Sequence, residues 1–331
     1  MFRSSIAVLA LSACLQSSGG RLPKDELPAD FGTRSLTLLQ PPDFRLRTDT
    51  PEQIALGRKL YFDPILSIDR SVSCASCHDP AHGFADGEVT SPGVLGGRTE
   101  RHTPSLLNRG FGLRFSWLGN VETLEAQVLL PIPNEREMGL SLTDAVDRLR
   151  ADEAYARQFQ AAFGARPGMS NLSTALAAFV ARIHTDESAV DRFQSGVFDA
   201  LDDRERAGLW LYESKANCWR CHTGHNYTDE SFHATGIGAR DGKLERARAA
   251  FTDDELDVGR FKTPTLRGLA LTAPYMHDGS LATLEDVVAY YRRGAHGVTG
   301  LDERIRPLEL ADDEARSLVA FLHALSRPAG N

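Results

Sequence analysis

The chain has 331 residues, room for two domains of ordinary size, and a globular composition with 42% hydrophobic and 25% charged residues. A formal net charge of −8 excludes the basic face that nucleic acid selects and suits a basic or neutral partner better than an acidic one. No stretch approaches the roughly 20 apolar residues that cross a bilayer.

The first 14 residues read as an export signal, with Arg3 as the positive region and Ile6 to Leu11 as a short apolar core. The signal ends in Leu11-Ser12-Ala13-Cys14, a lipobox-like sequence, so lipidated Cys14 is expected to tether the protein to a membrane on the periplasmic side. Of five cysteines, Cys74, Cys77, Cys218 and Cys221 fall in two Cys-x-x-Cys-His motifs and Cys14 alone is left over, as a lipid anchor requires. Residues 15–45, rich in Ser, Gly, Pro and charge, read as a tether and lead-in.

Thr50, followed by Pro51 and Gln53, signals a helix start, and Ile54, Leu56, Leu60 and Tyr61 then share one arc. Residues 71–120 are turn-rich, which puts any function there on loops. Helices are expected at about 121–130, 141–163, 172–184, 202–215, 281–293 and 311–325, with no convincing alternating strand. The expected fold is mainly α, with two cytochrome c-like haem domains at 46–197 and 198–331, because one Cys-x-x-Cys-His motif falls in each half.

In Cys74-Ala75-Ser76-Cys77-His78 and Cys218-Trp219-Arg220-Cys221-His222, two thiols one helical turn apart can add to the haem vinyl groups. His78 and His222 would then face the irons as proximal ligands. A zinc site would use the four thiols together without a histidine after each pair, and a redox dithiol needs only one pair. Two covalently bound haem c groups are therefore expected.

Several linked segments add a resemblance. Cys77-His78-Asp79-Pro80, Thr103-Pro104-Ser105-Leu106-Leu107-Asn108, Glu137-Met138-Gly139, Phe261-Lys262-Thr263-Pro264-Thr265-Leu266-Arg267 and Leu271-Thr272-Ala273-Pro274-Tyr275-Met276-His277-Asp278-Gly279 occur in this order. From about residue 50 onward the chain resembles the bacterial di-haem cytochrome c peroxidases, within them the MauG-like branch. The resemblance implies that the N-terminal haem binds hydrogen peroxide with Gln127 and Glu137, ten residues apart, on its distal side and Pro131 between them. Glu137 would move a proton between the peroxide oxygens, as a carboxylate in an apolar pocket can, and Gln127 would orient the peroxide. A bland alternative makes Glu137 the cap of the helix beginning near Leu140 and Gln127 a surface residue.

Donor-driven members hold a removable histidine sixteen residues beyond the proximal one, where this chain has Val94; His82 and His102 do not match that offset. An open iron that needs no prior reduction is implied. For the second iron, Tyr291 stands seventeen residues after Pro274, where the family places the distal ligand, and Met276 competes with it. A phenolate would favour iron oxidised above the ferric state. Trp117, ten residues before Gln127, matches the tryptophan between the haems, and Asn108, Thr272 and Pro274 match an inter-haem calcium site of hard oxygen ligands. One departure stands out: two residues before Cys218, where the MauG-like pattern has a surface tryptophan, is Ala216, with Trp210 and Trp219 nearby.

Three functions follow. The first is an oxidase that passes oxidising equivalents from peroxide to Trp or Tyr side chains of a periplasmic partner protein. In the second, a peroxidase takes electrons from a small cytochrome or cupredoxin. The third is a di-haem electron carrier with both irons six-coordinate, against which Gln127 and Glu137 speak.

Overall fold

The computed structural model describes residues 47–328; the expected export signal, Cys14 and the tether all lie outside them. In the first half the helices are α1 (Pro51–Phe62), α2 (Cys74–Cys77), α3 (Leu124–Gln127), α4 (Leu142–Ala151), α5 (Glu153–Phe163) and α6 (Met169–Val180). The second half holds α7 (Ala189–Gln194), α8 (Asp203–Glu213), β1 (Phe232–Ala234), α9 (Ala249–Thr252), β2 (Arg260–Lys262), α10 (Leu284–Arg293) and α11 (Asp312–Ala324). The fold is mainly helical, as expected, with the first haem motif on the short α2 and the second on the 3₁₀ segment Cys218–Arg220.

Thr50 starts α1 as its sequence predicts: the Gln53 amide donates to the Thr50 hydroxyl, and the Gln53 side chain accepts from the Thr50 amide. Asp152 interrupts the single helix expected at 141–163. Its carboxylate accepts from the amides of Ala154 and Tyr155, starting α5 where α4 ends. The helix expected at 121–130 stops at Gln127, because Pro131 disfavours helical geometry at the residue before it and has no amide to donate. The one sheet among the described residues pairs β1 with β2 antiparallel, three residues each. Strands this short leave almost no alternation to detect, which is why they were not expected.

One close crossing holds each half together. In the first, α1 lies so tightly on α6 that a Cβ on Gly57 would stand 1.8 Å from the Ala175 carbonyl oxygen. In the second, α8 lies on α11, and a Cβ on Gly208 would stand 2.0 Å from the Ser317 carbonyl oxygen. Only glycine permits backbones to approach this closely. Four residues after each glycine a buried tyrosine reaches the haem motif: Tyr61 donates to the His78 carbonyl and Tyr212 to the His222 carbonyl. Separate apolar cores form around the crossings, one including Leu60, Leu66, Leu149, Phe159 and Leu172, the other including Leu209, Tyr212, Leu318 and Phe321.

Candidate functional site: two haem pockets and the seam between them

Each Cys-x-x-Cys-His motif is built the same way. His78 Nδ1 donates to the Phe84 carbonyl at 3.1 Å, and His222 Nδ1 donates to the Tyr227 carbonyl at 3.1 Å. Tying Nδ1 to a backbone oxygen fixes the tautomer and leaves the Nε2 lone pair for a metal. Burial draws both imidazoles below their ordinary value, so each is neutral, as a ligand must be. Burial also pushes the Cys74 and Cys218 thiols up to about 12, and Cys77 to about 11.

The residues expected on the distal side of the first pocket lie on α3 and the turn after it. Gln127 ends α3, and its Oε1 is buried with no hydrogen-bond partner. An orphaned buried acceptor costs about 1–3 kcal/mol, which a bound donor recovers. Pro131, half-buried, opens the turn that carries Glu137. The Glu137 carboxylate accepts from Asn134 Nδ2 at 2.8 Å, and burial raises it above the ordinary carboxylate range against that bond. Its charge is felt at Cys77, which places it on the first motif. Glu137 does not cap the next helix: Ser141 does, accepting from the Asp144 amide at 3.1 Å. Val94 is buried in the first core, and its amide donates to the Glu137 carbonyl at 3.0 Å. The position sixteen residues past His78 therefore lies against the backbone of Glu137, with an alkyl side chain that cannot ligate iron. His82 is exposed beside Asp79, and His102 is buried with Nδ1 on the Glu88 carbonyl at 2.8 Å.

In the second pocket Tyr291 lies near Cys218 and Cys221, and burial pushes its phenol far above the ordinary value. Met276 sits in a tight turn with φ +74° and packs on the second core. Cys221 Sγ, Asp229 and His233 come within 4.8 Å of one another, a grouping the sequence reading missed. His233 Nε2 meets Asp229 at 2.9 Å and Nδ1 meets Asp302 at 2.7 Å. Burial disfavours the imidazolium, while the hydrogen bonds to Asp229 and Asp302 raise His233. With Cys221 committed to a thioether, the trio is a charged brace beside the second motif rather than a metal site.

Trp117 lies at the seam between the halves. Its Nε1 donates to the His102 carbonyl at 2.7 Å, its carbonyl accepts from the Lys262 amide at 2.8 Å, and its ring meets His277 edge-on at 6.4 Å. Asn108 faces the second half too: Nδ2 donates to Thr185 Oγ1 at 3.2 Å and to Asn226 Oδ1 at 3.0 Å, while Oδ1 accepts from the Thr185 amide. Thr272 and Pro274 share one loop, which touches the first half at Gly83.

The two halves also match residue for residue. Between residues 103 and 131 a constant offset of 160 pairs Thr103-Pro104 with Thr263-Pro264, and Thr123-Leu124-Glu125 with Thr283-Leu284-Glu285. The geometry repeats as well. Phe115 bridges Val121 as Tyr275 bridges Leu281, Ser116 and Met276 both take positive φ, and Thr123 and Thr283 both cap the helix that follows. The offset brings Trp117 onto His277 and Pro131 onto Tyr291.

The chain is 39% identical to the methylamine utilization protein MauG of Methylorubrum extorquens over 83% of its own length and 78% of that protein's. The chain belongs to the di-haem cytochrome c peroxidase family. A model of that family matches residues 51–198, and the cytochrome c551 peroxidase of Pseudomonas aeruginosa is 31% identical over 83% of this chain and 79% of that one. A solved MauG-like protein associated with microbial copper homeostasis superposes with a TM-score of 0.78 at 32% identity, covering 84% of this chain and 90% of that one. This di-haem peroxidase is thus a haem-dependent enzyme acting on hydrogen peroxide, with two haem c groups. Its paired thiols, Nδ1-tethered histidines and orphaned Gln127 fit those groups. When bound, the haems supply the two-electron reduction of peroxide. Around them the chain would offer Nε2 of His78 and His222 as ligands, and it places the Glu137 carboxylate near the first motif and the Trp117 ring at the seam.

Proposed function

We propose that the protein is a MauG-like oxidase: peroxide reacts at the first haem, and the oxidising equivalents pass to Trp or Tyr side chains of a partner protein. The observation that carries this reading is Tyr291, half-buried near Cys218 and Cys221 at the place Pro131 holds in the first half. With haem bound, Tyr291 would be the residue to hold the second iron, and its phenolate would lower the cost of oxidising that iron. Pro131 and Val94 offer no atom that could ligate iron, so the first haem would keep an open position. Glu137 Oε accepts the proton from the near peroxide oxygen and returns it to the far one, while Gln127 orients the peroxide by hydrogen bonding. Trp117 would stand between the haems, and Asn108, Thr272 and Pro274 would hold one calcium ion at the seam. The enzyme works in the periplasm, tethered through Cys14.

One equivalent of peroxide added to the all-ferric protein without reductant tests the reading. Prompt consumption, leaving a species that persists until a protein substrate is added, is the expected result. A ferric protein that ignores peroxide until it has been half-reduced is a donor-driven peroxidase instead.

A further inference from the structure

The repeat shows where the two haem motifs differ. His78 and His222 are held alike, and a tyrosine reaches each motif alike, yet the two residues between the cysteines are Ala75 and Ser76 in the first half and Trp219 and Arg220 in the second. Only the second motif carries an oxidisable side chain, and Trp219 is 43% exposed. Asn217, with φ +54°, turns the chain into the short 3₁₀ segment Cys218–Arg220 that presents it. An indole left this exposed forgoes much of the stabilisation that burying a large aromatic brings. Its neighbours lie deeper: Ala216 is 6% exposed, and Trp210 is half-buried against the second core. Trp117 is fastened at the seam by the His102 carbonyl.

We infer that Trp219 is the relay through which electrons enter the second haem from a donor outside the protein. The covalent route would be short, since Trp219 is bonded directly to Cys218, whose sulfur would join the haem edge. One peroxide takes two electrons and two protons to give two waters. Each electron crosses as the Trp219 indole gives one to the oxidised haem pair and recovers one from a reduced partner, so two passes return the protein to its resting state. The donor is a one-electron reductant, or an oxidisable aromatic side chain, that can touch an exposed ring. Nothing in the first motif offers such a path, so traffic with a protein partner runs through the second half. This inference names the exit for the proposed oxidase and rests on that reading.

The test uses the haem-loaded full chain and its Trp219→Phe and Trp219→Tyr variants, each first oxidised with one equivalent of peroxide. Reduced mono-haem cytochrome c is the electron-donor probe, followed by stopped-flow. Expected is a loss of at least tenfold in the rate of return to the resting spectrum for Trp219→Phe, with most of the rate recovered in Trp219→Tyr, because phenol can be oxidised and phenylalanine cannot. Peptide mapping after excess peroxide without donor should find oxygen added at Trp219 ahead of Trp117 and Trp210. A Trp219→Phe rate equal to the parent's overturns the inference, as does a Trp219→Tyr variant as slow as Trp219→Phe, which would mark a packing role. If the ferric protein does not take up peroxide, the same variants are oxidised after one-electron reduction, so failure of the oxidase reading and failure of Trp219 are scored separately.

Discussion

Pro131 and Tyr291 occupy the same position of a repeated segment, 160 residues apart, and they account for the difference between the two pockets. In the second half α10 continues through Tyr291 to Arg293, whereas α3 stops at Gln127, four residues before Pro131. One substitution in the repeat therefore shortens a helix and replaces a phenol with a ring that cannot bind iron.

Tyr291→Phe should alter the low-spin haem absorption and EPR signals while leaving both haems attached. Met276→Leu should leave those signals unchanged, because Met276 sits in the turn that Ser116 occupies in the first half. The reverse pattern would make Met276 the ligand and move the protein to the donor-driven class.

Glu137→Gln should slow the reaction with peroxide by about 10²- to 10⁴-fold, the usual contribution of a positioned acid–base group. Burial raises Glu137 above 4.5, so the proton stays on to a higher pH than on a free carboxylate. The parent rate should therefore rise with pH through a midpoint above 4.5, and that limb should vanish in the Gln variant. Stopped-flow rates across pH check both; equal rates would return Glu137 to a packing role.

Asp191 and Arg267 pair through two bonds of 2.7 and 2.8 Å, tying α7 to the loop after β2. Burial opposes the Asp191 charge, but the Arg267 guanidinium and the Ser188 hydroxyl and amide outweigh it and hold the carboxyl at about 2. A depressed carboxyl stabilises the fold above its unfolded value of 3.8, and that contribution is lost as pH falls towards about 2. Asp191→Asn should cost about 3–5 kcal/mol, because it leaves a buried guanidinium unpaired. Chemical unfolding at pH 7 measures the loss, and the variant's deficit should shrink below pH 3.8.

Gly208→Ala should force α8 away from α11, since the added carbon meets the Ser317 carbonyl. Overpacking of this kind costs about 1–3 kcal/mol. Thermal unfolding should show a lowered midpoint, while Gly164→Ala, whose added carbon meets nothing within 4 Å, reports only the strain of φ +65°.

Much of this was legible in the sequence because the chemistry is local. Cys-x-x-Cys-His declares itself, and Thr50-Pro51 with Gln53 announces α1. Other features depend on contacts that spacing does not reveal. The break at Asp152 competes with an unbroken apolar stripe, and Pro131 truncates a helix whose first turn looks sound. The His233 brace is assembled from Asp229 and Asp302, residues 73 positions apart in the chain, and nothing local marks Asp302. The offset of 160 was readable from Thr-Pro-x-Leu and Thr-Leu-Glu, but the motifs themselves repeat at 144, which hides the register.

The central claim is that the two irons differ because Pro131 and Tyr291 share one place in the repeat. The EPR spectrum of the all-ferric, haem-loaded protein tests it most directly. The account predicts one high-spin haem, at the pocket of Gln127 and Glu137, and one low-spin haem that Tyr291→Phe alters. Two low-spin signals in the unmodified protein would mean that the first iron is closed, and would contradict it.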